Sequence, residues 1–154
     1  MRIYLDWNAT APSLREVLDV MRDVGGRAWG NPSSIHSDGR AARAVVEDAR
    51  ASIGRLMGKD ARDVVLTGGG TEANNIAVRS SFPGTWSAEP PWLVTSRLEH
   101  PSVARVAEAL AREGRARVRW VAVDSRGALD LEDLERAIAK AGSELALVTV
   151  QAVN

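Results

Sequence analysis

The residues of this chain best suited to chemistry sit just behind apolar runs. In Val64–Asn75, VVLTGGGTEANN, three consecutive glycines separate an apolar run from a polar segment of helical character. A strand, a glycine loop and a helix start bring backbone N–H groups and the positive helix end onto one point, which suits an anion such as phosphate. Thr71 adds a hydroxyl donor to the amides around Gly70. His100 follows the run WLVTS, where an imidazole can stack on a flat ring or move protons near neutral pH. Asn154 follows LALVTV and offers a carboxamide at the corresponding place.

Each feature also has a plainer reading. The loop can be a glycine-rich connection without a ligand. It also satisfies G-x-G-x-x-A through Gly68, Gly70 and Ala73, a weak dinucleotide signal whose acidic partner would be Glu89 in a Pro-Pro loop. The phosphate-loop pattern with Gly-Lys-Ser/Thr is absent. His100 can simply cap a helix, and Asn154 can be a loop residue. His36, in NPSSIHS, reads as a loop or cap residue, and Asp6 and Asn8 as turn formers. Two histidines and no cysteine give a zinc site little support.

The elements that must position these groups are legible from periodicity. RIYLD (2–6) reads as a strand, and 13–24 as a helix opened by Ser13 and closed by Gly25-Gly26. A Gly/Pro/Ser/Asn loop follows. Ser37 or Asp38 then caps a long helix ended by Gly58, with apolar residues at three- and four-residue steps. Strands are predicted at 63–67, 92–96, 117–123 and 145–150. They alternate with helices over 71–80, from Pro101, and over 131–141. That alternation implies an α/β fold with a mostly parallel sheet covered by helices. In such sheets ligands bind beyond the carboxyl ends of the strands, where Thr71, His100 and Asn154 fall. The five tryptophans are spread over different elements, and most read as core or interface residues rather than a stacking platform.

Composition narrows the function. Twenty basic and twenty acidic residues cancel, which argues against an electrostatic grip on nucleic acid or anionic lipid. No run approaches the roughly 18 apolar residues of a membrane span. The start lacks the apolar core of a signal peptide, so the cytoplasm is the expected location. Cysteine is absent, and lysine occurs only at 59 and 140.

Taken together, IYLDWNATAP (3–12), GNPSSIHSDGRAA (30–42), VVLTGGGTEANNIAV (64–78), SRLEHPSV (96–103) and VQAVN (150–154) resemble the amino-terminal part of cysteine desulfurases. These are pyridoxal-phosphate enzymes of aminotransferase class V, and selenocysteine lyases share much of the pattern. The resemblance covers essentially the whole chain. It implies the large domain of a fold type I pyridoxal-phosphate transferase, with residues 1–25 packing with a small domain and 26–154 forming an incomplete cofactor-binding domain. It implies that Gly70 and Thr71 hold the cofactor phosphate. His100 would stack on the pyridine ring and assist proton transfer, and Asn154 would contact the ring hydroxyl. The implied reaction removes sulfur from L-cysteine, giving L-alanine and a persulfide for iron–sulfur cluster or thiolation pathways. The implied partners are a second copy in a homodimer, or a second chain completing the domain, and a sulfur-acceptor or scaffold protein.

The pattern also departs from the family. The lysine that forms the Schiff base, the aspartate paired with the pyridine nitrogen and the mobile cysteine belong to later motifs that this sequence does not contain. The chain is therefore expected to be inactive by itself. It reads as an amino-terminal piece of a longer enzyme, one half of a split enzyme, or a non-catalytic phosphate-ligand or protein-binding module. A domain cut in this way should leave an exposed edge strand and apolar surface.

Overall fold

The computed structural model describes residues 3–7, 9–84 and 89–152. The chain divides into two compact units between Leu66 and Thr67.

The first unit holds two helices, α1 (Arg15–Arg27) and α2 (Ser37–Met57), and a single 3₁₀ turn over Ala61–Asp63. The predicted strand at 2–6 does not form among the described residues. Instead the Asp6 carbonyl accepts the amides of Ala9 and Thr10, a turn as its composition suggests. Helix α1 starts at Arg15 without a side-chain cap and runs through Gly25 and Gly26. An Arg27–Asp23 ion pair of 2.8 Å spans the glycine turn and helps carry the helix past its expected stop. Its apolar residues Val17, Leu18, Val20 and Met21 are exposed, as are Trp7 and Trp29, so these two tryptophans are not in the core.

Helix α2 is capped by His36 rather than by Ser37 or Asp38. The His36 backbone is extended, and its Nδ1 accepts the Gly39 amide at 3.4 Å. Gly39 must be glycine for a steric reason, because a Cβ there would stand 2.8 Å from the Asn31 carbonyl oxygen and 2.7 Å from the Ser34 Cβ. The loop 31–34 thus folds directly over the first turn of α2. The helix ends at Gly58, in the left-handed conformation at φ 63°.

The second unit is a three-stranded parallel sheet in the order β2-β1-β3, with β1 (Trp92–Ser96) central, β2 (Arg117–Val121) and β3 (Leu145–Val148). Helices α3 (Gly70–Ser80), α4 (Pro101–Arg112) and α5 (Leu131–Ala141) complete it. Successive residues of β1 serve opposite faces, as a pleated strand requires. Leu93 packs with Val78 and Phe82 and with Val103, Val106 and Leu110 of α4; Val94 packs with Val121 and Ala137. Both faces of β1 are therefore covered, which is why its sequence lacks polar alternation. Full burial of Phe82, Leu93 and Leu110 contributes about 1.5–3 kcal/mol each before chain entropy is set against it.

Three further predicted strands differ, β3 first, which ends at Val148 rather than at residue 150. Residues 64–67 are not a strand; Val64 is extended, at φ −92° and ψ 119°, but has no ladder partner. A strand is a pairing, and apolar content alone cannot supply the neighbour. Strand β2 stops at Val121, after which Val123 pairs with Leu129 in an isolated antiparallel bridge around the turn at Asp124–Gly127. The Asp124 carboxylate closes that turn by accepting the amides of Arg126 (2.8 Å) and Ala128 (2.9 Å).

Candidate functional site

The first turn of α3 leaves its amides unclaimed. Gly69 is the N-cap and makes no side-chain cap bond, and Ala73 is the first amide to bond back, to the Gly69 carbonyl at 3.0 Å. The amides of Gly70, Thr71 and Glu72 have no partner among the described residues. Such a helix start is a cluster of donors at the positive end of the dipole.

The glycines beside it are not demanded by the protein's own packing. A Cβ on Gly69 or Gly70 would meet no atom within 4 Å, and neither residue has a backbone conformation reserved to glycine. Gly68 differs. Its amide donates to the Glu72 carboxylate at 2.6 Å, which pins the loop to the helix it precedes.

His100 ends the connection from β1 and caps α4, its Nδ1 accepting the Ser102 amide at 3.1 Å. Pro101 occupies the first helical position, where its missing N–H costs nothing. Helices α3 and α4 are tied together by their polar residues. Asn74 Nδ2 donates to Ser102 Oγ at 2.8 Å, and Asn75 Nδ2 donates to the Thr71 carbonyl at 2.8 Å and to the Ser102 carbonyl at 3.5 Å.

Between them lies an open groove of about 350 Å³, lined by Thr71, Asn75, Arg79, His100, Ser102 and Arg105 among others. Arg79 is paired with Glu113 at 3.6 Å, whereas Arg105 has no acidic partner among the described residues. The groove thus combines a hydroxyl, an imidazole and two guanidinium groups, a donor set suited to an anionic ligand with a flat ring.

Of the residues singled out from the sequence, Thr71 and His100 line this groove together, and Gly70 directly precedes Thr71 at the helix start. Asn154 and Asn8 lie outside the described residues. Residues 149–151 are bonded to β1 and to Glu99, the residue before His100. The Thr149 amide continues the ladder to the Val94 carbonyl at 3.0 Å, and the Gln151 amide donates to the carboxylate of Glu99. His36 acts as a cap in the first unit, while Lys140 lines a separate small cavity with Trp92 and Arg119. Among the described residues no cluster of His, Cys, Asp or Glu could hold a metal ion, and no helix is long and apolar enough to cross a membrane.

Sequence reading overlooked Asn74, Asn75, Ser102 and Glu99. The first two carried a usable signal, since positions three and four after Thr71 share its helix face. Ser102 could have been read as a residue capped by His100 two positions earlier, but its bond to Asn74, like that of Glu99 to Gln151, joins positions distant in sequence and left no signal.

Comparison with known proteins adds three findings. The family model for aminotransferase class-V matches residues 3–154. The chain is 37% identical to the mitochondrial cysteine desulfurase of Saccharomyces cerevisiae, over 99% of its own length and 30% of that protein. It is 32% identical to the selenocysteine lyase of Bos taurus, over 99% of its own length and 38% of the lyase. It therefore spans roughly a third of these curated relatives. Among solved structures a NifS-like protein superposes with a TM-score of 0.82 at 28% identity, covering 99% of this chain and 49% of that one. The α/β architecture with a parallel sheet is shared with that fold type I group.

Proposed function

We propose, on the premise that this chain belongs to the aminotransferase class-V family, that it forms part of a pyridoxal 5'-phosphate-dependent cysteine desulfurase. The reaction draws sulfur from L-cysteine, leaving L-alanine and an enzyme-bound persulfide for iron–sulfur cluster or thiolation pathways. One observation carries the reading. Three amides without a partner among the described residues adjoin two glycines, Gly69 and Gly70, at which an added Cβ would meet no described atom within 4 Å. Space kept clear beside free donors is what a phosphate needs, so the residues present fit the cofactor.

In this reading the amides of Gly70 and Thr71 and the Thr71 hydroxyl hold the phosphate. His100 lies against the ring and holds or moves a proton, and Asn154 takes the ring hydroxyl. The cofactor, when bound, supplies the electron sink for bond breaking at the amino acid. Orientation and proton handling fall to the chain's own residues. With no cysteine, and with lysine only at 59 and 140, this chain by itself supplies neither the nucleophile nor a lysine in the groove, and is inactive alone. The same reading keeps residues 1–25 with a small domain and 26–154 in the cofactor domain. It also implies a homodimer or a completing second chain, a sulfur-acceptor or scaffold partner, and a cytoplasmic setting.

Selenocysteine lyase is the second reading, favoured by the comparable identity to the bovine lyase. Titration of the ¹⁵N-labelled chain with pyridoxal 5'-phosphate tests the common site. The expected result is amide shifts confined to Gly69–Glu72 and the region of His100, with no alanine formed from L-cysteine. Absence of shifts at those amides under saturating cofactor would overturn the reading. Equal shifts with inorganic phosphate would reduce it to a plain anion site.

A further inference from the structure

We propose that Ser102, backed by Asn74, is a positioning residue that fixes the neutral His100 imidazole with its proton on Nε2. The inference concerns the site assigned above but does not depend on which ligand occupies it.

The argument is one of donors and acceptors. His100 Nδ1 faces two groups of Ser102, the backbone amide at 3.1 Å and the hydroxyl Oγ at 2.7 Å. A backbone N–H can only donate, so Nδ1 must present its lone pair. The Ser102 hydroxyl is claimed from behind by Asn74 Nδ2 at 2.8 Å, and an amide NH₂ can only donate as well. That contact uses an oxygen lone pair and leaves the hydroxyl hydrogen free to point at Nδ1. All three roles agree when Nδ1 is bare. A proton on Nδ1 would confront the Ser102 N–H head on. Ser102 is 7% exposed, so water competes little for its hydroxyl.

The usual N-cap is a small hydroxyl or amide side chain. Here an imidazole does the capping with one nitrogen, and its other nitrogen has no protein partner among the described residues. The relay therefore converts His100 into a hydrogen-bond donor on a residue that shares the groove with Thr71. A group bound there meets an N–H first, and Nε2 becomes an acceptor only after giving that proton up. Asn74 stands three positions after Thr71 on α3, so the same helix turn that carries the threonine also sets the histidine tautomer.

The test is the imidazole ¹⁵N spectrum of the histidine-labelled chain, without cofactor and at a pH where imidazoles are neutral. His36, outside the relay, is the internal reference. The expected spectrum shows His100 as a single tautomer protonated at Nε2. Ser102→Ala removes the hydroxyl but keeps the backbone N–H, so it should displace the Nδ1 resonance and raise the minor tautomer without bringing the ring to the mixture of a free histidine. Ser102→Thr should restore the wild-type pattern, and Asn74→Ala should move Nδ1 by a smaller amount. A wild-type ring protonated mainly at Nδ1, or a folded Ser102→Ala spectrum superimposable on wild type, would overturn the proposal. Should Ser102→Ala not fold, the wild-type tautomer and the Asn74→Ala shift decide. Failure of cofactor binding with the tautomer as expected would count against the function alone.

Discussion

The Asp133 carboxylate of α5 accepts the amide of Ala122, just past the end of β2, at 2.9 Å. Its other oxygen meets Arg119 of β2 at 2.7 Å, and its side chain is only 10% exposed. One buried carboxylate therefore joins a helix start to a strand end. The Ala122 amide above all, then Arg119 and Arg136, holds this carboxyl below its ordinary value of 3.8 against the opposing effect of burial. A group depressed on folding adds stability above its unfolded pKa and loses it as pH falls through the folded one. Stability is thus expected to fall progressively below about pH 3.8, and Asp133→Asn should flatten that part of the stability–pH curve while lowering stability at neutral pH. An unchanged curve in the variant would remove the carboxylate from this role.

Thr95 is fully buried in the central strand, and its hydroxyl has no hydrogen-bond partner among the described residues. An unpaired buried hydroxyl costs about 1–3 kcal/mol, and an apolar group of the same shape does not. Thr95→Val should raise stability by about 1 kcal/mol in urea unfolding. A loss of similar size would mean that the hydroxyl is bonded after all.

Gly39 and Gly70 make opposite predictions. Gly39→Ala drives a Cβ into the backbone of the loop 31–34 and should cost about 1–3 kcal/mol. Gly70→Ala meets nothing within 4 Å, so stability should stay level or rise by about 0.5 kcal/mol. Phosphate-ligand binding by the same variant should fall. Paired melting and binding curves separate the two effects.

On the proposed reading of the site, Thr71→Ala in the complete enzyme removes one hydrogen bond to a charged group, worth about 1.5–3 kcal/mol. Cofactor retention should therefore drop by roughly 10- to 100-fold. His100→Ala also strips the cap from α4, so His100→Asn is the cleaner variant because asparagine caps well. It should fold normally while turnover falls about 10²–10⁴-fold, the range of a lost acid–base group. Normal turnover in His100→Asn would confine His100 to capping.

Glu99 is 9% exposed and binds the Gln151 amide. Glu99→Ala should speed hydrogen exchange at Gln151 by about tenfold or more while leaving the β1–β2 ladder protected. Uniform loss of protection would point to general destabilisation instead.

The sequence by itself determined the local elements and which of them carry the site. Apolar steps of three and four set α2, α4 and α5, and the run WLVTS set β1 to the residue. The glycine run and the HisPro pair marked the starts of α3 and α4, because helix ends depend on nearby residues alone. Only the tertiary structure decided what those ends meet. Residues 64–67 have strand composition but no ladder partner among the described residues, so they form no strand. The Asn74–Ser102–His100 relay and the Glu99–Gln151 bond join residues 28 and 52 positions apart. Such pairings depend on how the chain returns through space, and periodicity over one helix or strand contains no record of that return.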